Sequence, residues 1–179
     1  MKIRNGCVFL IVLIIILPFN TGAAEPPFFS LGLRGGINSR NHFENEFSQF
    51  SAFLDFGTPW IYEWDSEWTL QPVFDLAGGV IATSEVAAAQ GSLALELFLS
   101  SPEGAFTLSL GGGIGAMSEH IFEDVDLGGP IFFNPHIGAR VKFAPNAGIG
   151  YRWYHQSNAG IYENNPGLNL HQLELRFWF

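Results

Sequence analysis

The chain has 179 residues, 47% of them hydrophobic and 15% aromatic, with one cysteine and a formal net charge of −9. That length holds one domain with a real core or one small barrel. The acidic balance, 17 Asp and Glu against 8 Lys and Arg, argues against nucleic acid as a partner, because binding it means neutralising phosphates.

Met1-Lys2-Ile3-Arg4 is a short basic head, Cys7 to Phe19 is an apolar run broken by Pro18, and Thr21-Gly22-Ala23-Ala24 supplies small residues for cleavage. Together they predict a secretory signal peptide over residues 1–24, cut after Ala23 or Ala24. The run is too short and wrongly flanked for a stable membrane helix. Cys7 sits at the start of the run rather than after it, which speaks against a lipoprotein anchor. With Cys7 removed, the mature chain has no thiolate nucleophile, no disulfide and no cysteine-based metal site. Lys2 and Arg4 leave too, so residues 25–179 carry 6 basic against 17 acidic groups, a formal charge of −11.

Residues 25–179 read as one domain of alternating strands without helical periodicity. Phe29 to Asn38 puts Phe29, Leu31, Leu33 and Ile37 opposite Ser30, Arg34 and Asn38. Phe47 to Phe56 alternates less cleanly, with Phe50, Ala52, Leu54 and Phe56 opposite Gln49, Ser51 and Asp55. Glu67 to Thr83 sets Trp68, Leu70, Phe74, Leu76 and Val80 against Thr69, Gln71 and Asp75, and Gln90 to Leu99 sets four leucines against Glu96. Ala105 to Gly115 and Ile131 to Phe143 continue the pattern. With two more at the C-terminus this makes about eight strands, each near the ~10 residues that cross an outer membrane.

Between those strands, Glu119-His120 with Glu123, Asp124 and Asp126 reads as a solvated acidic rim loop rather than a metal centre, since no ligand spacing recurs. Gly111-Gly112-Gly113 lacks a following Lys-Ser or Lys-Thr and reads as a bend or close contact, not a phosphate loop.

Alternation alone also suits a soluble antiparallel sandwich. Three features favour an all-β, eight-stranded antiparallel transmembrane barrel of the outer-membrane type. Charged residues (Arg34, Asp75, Glu96, Arg140, Lys142, Arg152, Glu174, Arg176) sit mid-strand opposite the apolar face, which suits a lumen filled by polar side chains. Aromatics such as Trp60, Trp64, Trp68, Trp153 and Trp178 gather near strand ends, as interfacial girdles do. The last strand alternates and finishes on Phe179, like the C-terminal signal of outer-membrane proteins. A closed barrel also pairs every backbone group inside lipid, which an open sheet cannot do.

The hairpin 145–179 is where chemistry gathers. Ala147 to Ser157 and Asn169 to Phe179 both carry their apolar residues at odd positions, and residues of like parity share a strand face. His155, Ser157 and Asn169 therefore fall at the ends of two greasy faces, not among Arg152, Gln172, Glu174 and Arg176. An ester hydrolase needs a nucleophile, a base within reach, a group that orients the base, and donors for the oxyanion. Residues i and i+2 of a strand lie about 7 Å apart on one side, so His155 and Ser157 can meet with modest twisting.

His155-Gln156-Ser157-Asn158-Ala159-Gly160, followed by Asn165-Pro166-Gly167-Leu168-Asn169 and a terminal strand, resembles the lipid A 3-O-deacylase family, the PagL-like outer-membrane esterases. That family is marked by His-x-Ser-Asn-Ala on the penultimate strand. The likeness is specific over Gly150 to Phe179 and weak elsewhere. It implies hydrolysis of the ester-linked 3-hydroxyacyl chain at the 3-position of lipid A, in the outer membrane and without a metal or other cofactor. By the family's pattern Ser157 is the nucleophile and His155 its general base. The Asn158 side chain or local backbone N–H groups would form the oxyanion hole.

The third member, at the start of the last strand, is Glu in the best-known relatives; here the spacing puts Asn169 there, with Glu163 in the intervening loop as the fallback acid. An amide fixes the imidazole tautomer but does not stabilise the imidazolium as a carboxylate does. The same loss in a serine protease costs about 10⁴ in rate, so the resemblance implies weaker activity than a Glu-bearing relative has. Trp153, Tyr151, Leu173 and Phe143 are expected to line a groove for acyl chains on the outer wall, which lipopolysaccharide reaches by lateral diffusion. His42, His120, His136 and His171 read as interfacial or hydrogen-bonded residues. Homodimer formation is left open. The competing class is a non-enzymatic barrel for adhesion or membrane integrity. A narrow channel ranks last, because about eight strands leave an interior only wide enough for side chains.

Overall fold

A computed structural model describes residues 29–39 and 45–179; the signal peptide read in residues 1–24 and His42 lie outside them. Eight strands form the wall: β1 (Phe29–Asn38), β2 (Ser48–Gly57), β3 (Thr69–Ala82), β4 (Ala87–Ser100), β5 (Phe106–Met117), β6 (His136–Ala144), β7 (Ala147–Gln156) and β8 (Leu168–Trp178). Each pairs antiparallel with the next, and β8 pairs with β1 from Trp178 opposite Ser30 to Leu170 opposite Asn38. The sheet is thereby a closed barrel. Among the described residues no helix is long and apolar enough to cross a membrane.

Parity decides what each side chain meets. Leu31, Leu33, Leu93, Leu95, Leu97, Leu173 and Leu175 are exposed on the outer wall, while Arg34, Asp55, Asp75, Glu96, Arg140, Arg152, Glu174 and Arg176 are buried inside. Buried charges are tolerated only when paired, and these are. Glu174 meets Arg34 Nε at 2.8 Å and Arg152 Nε at 3.0 Å; Arg34 also reaches Asp75 at 2.8 Å, and Arg152 reaches Glu96 at 2.7 Å. His136 Nε2 lies 3.1 Å from Glu96, and Arg176 pairs with Asp55. The weak alternation of β2 comes from Phe53, which points inward beneath the guanidinium groups of Arg34 and Arg176, 4.2 and 4.6 Å from its ring centre.

The turns 58–68, 101–105 and 145–146 share one end of the barrel with the C-terminus. The loops after β1, β3, β5 and β7 share the other. Beneath those loops an apolar plug of Phe47, Ile81, Met117, Phe122, Phe132, Leu168 and Leu170 caps the polar lumen.

One expected strand is corrected. Ile131 to Phe143 is not continuous: Ile131–Phe133 pairs with the end of β5, and β6 begins only at His136. Pro135 has no N–H to give a ladder, and Asn134 beside it is buried. The register with β7 runs on through the break, and the Pro135 carbonyl accepts the His155 N–H at 2.9 Å.

Candidate active site

In the final hairpin His155 stands opposite Asn169, Trp153 opposite His171, and Tyr151 opposite Leu173. These odd-numbered residues face outward. Their even-numbered neighbours Arg152, Tyr154, Gln156, Gln172 and Glu174 are buried. The site is therefore on the outer wall, at the loop end of the barrel.

His155 Nδ1 lies 2.7 Å from Asn169 Oδ1. An amide oxygen only accepts, so Nδ1 donates the hydrogen of this bond; in the neutral imidazole that tautomer leaves the lone pair on Nε2, the form a general base requires. Trp153 lies alongside the imidazole, ring centres 6.3 Å apart and planes 18° from parallel. Gly167, at φ +69°, brings the returning loop against the ring edge; a Cβ there would stand 3.0 Å from His155 Cε1. Glycine serves both needs, since it accepts positive φ and lets backbone come close.

Ser157 continues β7 by one bridge to Phe133, with Ser157 N–H to Phe133 O at 3.0 Å and Phe133 N–H to Ser157 O at 2.7 Å. Its backbone is held two residues beyond His155. Among the described residues its hydroxyl makes no hydrogen bond to His155, a contact that often tightens only around substrate. Ser157 borders a small cavity together with Met117, Leu127, Phe132 and Gly167.

A family model described as lipid A 3-O-deacylase (PagL) matches residues 48–178. The chain belongs to the lipid A 3-O-deacylase family. It is similar to the lipid A deacylase PagL of Bordetella bronchiseptica, 27% identical over 165 residues, covering 89% of this chain and 88% of that protein. The lipid A deacylase PagL of Pseudomonas aeruginosa is 36% identical over 66 residues, 37% of this chain and 38% of that one. In fold it resembles the crystal structure of the outer membrane enzyme PagL, with TM-score 0.71, 21% identity, and 83% of this chain and 98% of that one covered. Neisserial surface protein A shares the architecture more loosely, at TM-score 0.51 and 13% identity, with 88% and 100% covered. This deacylase is accordingly an ester hydrolase of the outer membrane.

Asn158 is placed differently from the expected oxyanion donor. Its side chain is buried, and Nδ2 donates to Leu127 O at 3.2 Å and Asn164 O at 2.6 Å, while Oδ1 accepts the Gly160 N–H at 2.9 Å. Both amide hydrogens are spent on holding the deacylase's loop 157–167. Its backbone N–H is likewise engaged, by Asn165 Oδ1 at 3.0 Å. The next N–H, at Ala159, has no partner among the described residues, and Ala159 sits at φ +53°. Of the two oxyanion sources expected, local backbone is the one left available. Glu163 is exposed and makes no hydrogen bond or ion pair to His155 among the described residues; Asn169 takes that place.

The groove also needs one correction. Phe143 lies beside the 145–146 turn, at the far end of the deacylase barrel, whereas the outward residue next to Trp153 on β6 is Ile137. Tyr151 and His171 join them as a polar pair, Tyr151 Oη to His171 Nδ1 at 2.6 Å.

The acidic loop proves to be a brace, with no metal-ligating cluster among the described residues. Glu123 accepts from Thr83 Oγ1 at 2.7 Å, the Glu85 N–H at 3.1 Å and Asn45 Nδ2 at 3.2 Å. Asp126 accepts from Asn164 Nδ2 and the Gly128 N–H, both at 2.7 Å, and lies 3.0 Å from His120 Nδ1. Those donors hold the Asp126 carboxyl below the usual range, the Asn164 amide contributing most. Gly128 and Gly129 lie flush against loop 157–167: a Cβ on Gly128 would run into Asn164 and Asn158, and one on Gly129 into the Tyr162 ring. Neither glycine nor Asp126 belongs to a periodic pattern, so only the short Asp-x-Gly-Gly turn chemistry hints at them.

Proposed function

We propose that Ser157, His155 and Asn169 carry the 3-O-deacylation of lipid A in this chain. His155 Nε2 takes the proton of Ser157 Oγ as that oxygen attacks the ester carbonyl carbon at the 3-position. The tetrahedral oxyanion is met by local backbone, the Ala159 N–H foremost. Collapse breaks the bond to the sugar oxygen, which takes the proton from His155 and leaves the 3-hydroxyacyl group on Ser157. Water, deprotonated by His155, then attacks the acyl carbonyl, releases the 3-hydroxy fatty acid and returns the proton to Ser157. Asn169 keeps the proton on Nδ1 throughout.

The observation that carries this reading is the 2.7 Å bond from His155 to Asn169 on the outward face, two residues from Ser157. A site there meets a lipid substrate by lateral diffusion, with its acyl chains lying along Trp153, Ile137 and Leu173. Removal of residues 1–24 as a signal peptide, delivering residues 25–179 as the mature barrel, belongs to the same reading.

Mass spectrometry of lipid A from cells expressing the wild type, Ser157→Ala and His155→Ala tests it. The wild type is expected to remove one 3-hydroxyacyl chain and both variants to leave lipid A intact. Deacylation by folded Ser157→Ala would remove the mechanism.

A further inference from the structure

We infer that Trp153 is a positioning residue that supports the positive charge formed on His155, in part replacing the carboxylate that Asn169 does not supply. The inference rests on His155 being the general base, as proposed above.

The oriented base of a serine hydrolase passes through an imidazolium, and a carboxylate behind Nδ1 stabilises that charge. Asn169 gives Nδ1 the same hydrogen bond, at 2.7 Å, without the charge. Among the described residues no carboxylate forms an ion pair with His155; its contacts are Asn169, Gly167, the Pro135 carbonyl and the Trp153 ring. Of these, the indole is the group whose electron-rich face attracts a cation, and tryptophan does so better than tyrosine or phenylalanine.

The geometry follows from the strand. Trp153 and His155 are successive outward residues of β7, so their rings stand like rungs, 6.3 Å apart and 18° from parallel. That spacing stands at the outer limit, about 6 Å, of a ring face's pull on a cation, so the attraction is a weak one. Ile137 and His171 flank the indole from the neighbouring strands, which limits its swing. Ser157 approaches His155 from the opposite side along the strand, so the indole does not obstruct proton transfer. At an exposed site the attraction amounts to about a two- to fivefold change in rate.

The experiment is a kinetic cycle on purified, folded barrel in detergent, with lipid A as substrate. Trp153→Leu keeps a lipid-compatible surface, Trp153→Phe keeps a weaker π face, and each is made in the wild type and in Asn169→Glu. In the wild type, Trp153→Leu is expected to lower kcat about two- to fivefold with little change in KM, and Trp153→Phe to restore part of it. In Asn169→Glu, where a carboxylate supplies the charge, the same Leu substitution is expected to cost less. A change confined to KM, or an equal kcat loss in both backgrounds, would reduce Trp153 to a groove or packing residue and overturn the inference. His155→Ala and Ser157→Ala run alongside: residual activity in either would instead overturn the catalytic assignment itself.

Discussion

His155 Nδ1 and Asn169 Oδ1 meet at 2.7 Å across the last two strands, on the wall that faces lipid. On the proposed reading the bond orients the base with a neutral acceptor, where the Ser-His-Asp arrangement has a carboxylate. Asn169→Glu is therefore expected to raise kcat/KM by at least about tenfold, with the ~10⁴ of the serine-protease comparison as the ceiling. Glu163→Ala is expected to leave the rate unchanged. Hydrolysis assays on the two variants beside the wild type check both; a loss in Glu163→Ala would move the third role to the loop.

Asn158 braces loop 157–167 internally through Asn164 and ties it to Leu127, and Gly128 leaves room for that tie. Asn158→Ala and Gly128→Ala are both expected to lose about 10²-fold in rate, the cost of a displacement near 1 Å at reacting atoms. The barrel should stay folded, because neither residue lies in the β1–β8 wall. Circular dichroism with limited proteolysis of loop 157–167 separates the effects: intact strands with a newly cleaved loop is the expected pattern.

Asp126 gives that clamp a definite response to pH. Its carboxyl is held below its ordinary value by the Asn164 amide, then the Gly128 N–H and His120. A depressed carboxylate stabilises the folded loop above the unfolded value of about 3.9, and that contribution disappears as pH falls through the lower, folded value. Protection of residues 157–167 against hydrogen exchange, each rate taken relative to its intrinsic value at that pH, is thus expected to be flat from pH 7 to about 5 and to fall only below about 4. Asp126→Asn should show fast exchange across the whole range.

Much of this architecture follows from sequence parity. Most odd residues of β7 and β8 are apolar up to His155 and Asn169; Ile149, Tyr151, Trp153, Leu173, Leu175 and Phe177 are exposed on the outer wall, and the half-buried His155 and Asn169 continue that face at the loop end. Period two does not see contacts made between loops. Asn158 reads as an oxyanion donor because its motif is local, whereas its side chain is spent on Leu127 from another loop and on Asn164 further along its own. Phe53 disguised β2 because its inward place is set by Arg34 and Arg176, far away in the chain. Pro135 was the visible sign of the break before β6, outweighed by the alternation around it.

The lumen is expected to govern stability rather than turnover. Glu174 meets Arg34, Arg152 and Arg176 at 2.8, 3.0 and 3.5 Å, all deeply buried. Glu174→Ala takes one carboxylate from each of those guanidinium groups, leaving Asp75, Glu96 and Asp55 as their partners, and should cost about 3–5 kcal/mol. Urea titration reads the loss. The rate per folded molecule should be unchanged, since Glu174 faces away from His155.

Covalent trapping of the nucleophile is the most direct measurement. Purified protein treated with a fluorophosphonate is digested and the modified peptide located by mass. The expected result is one phosphonyl adduct on Ser157, strongly reduced in His155→Ala and accompanied by loss of lipid A hydrolysis. Hydrolysis blocked by an adduct on another residue, with Ser157 unmodified, would contradict the assignment of Ser157 as the attacking group.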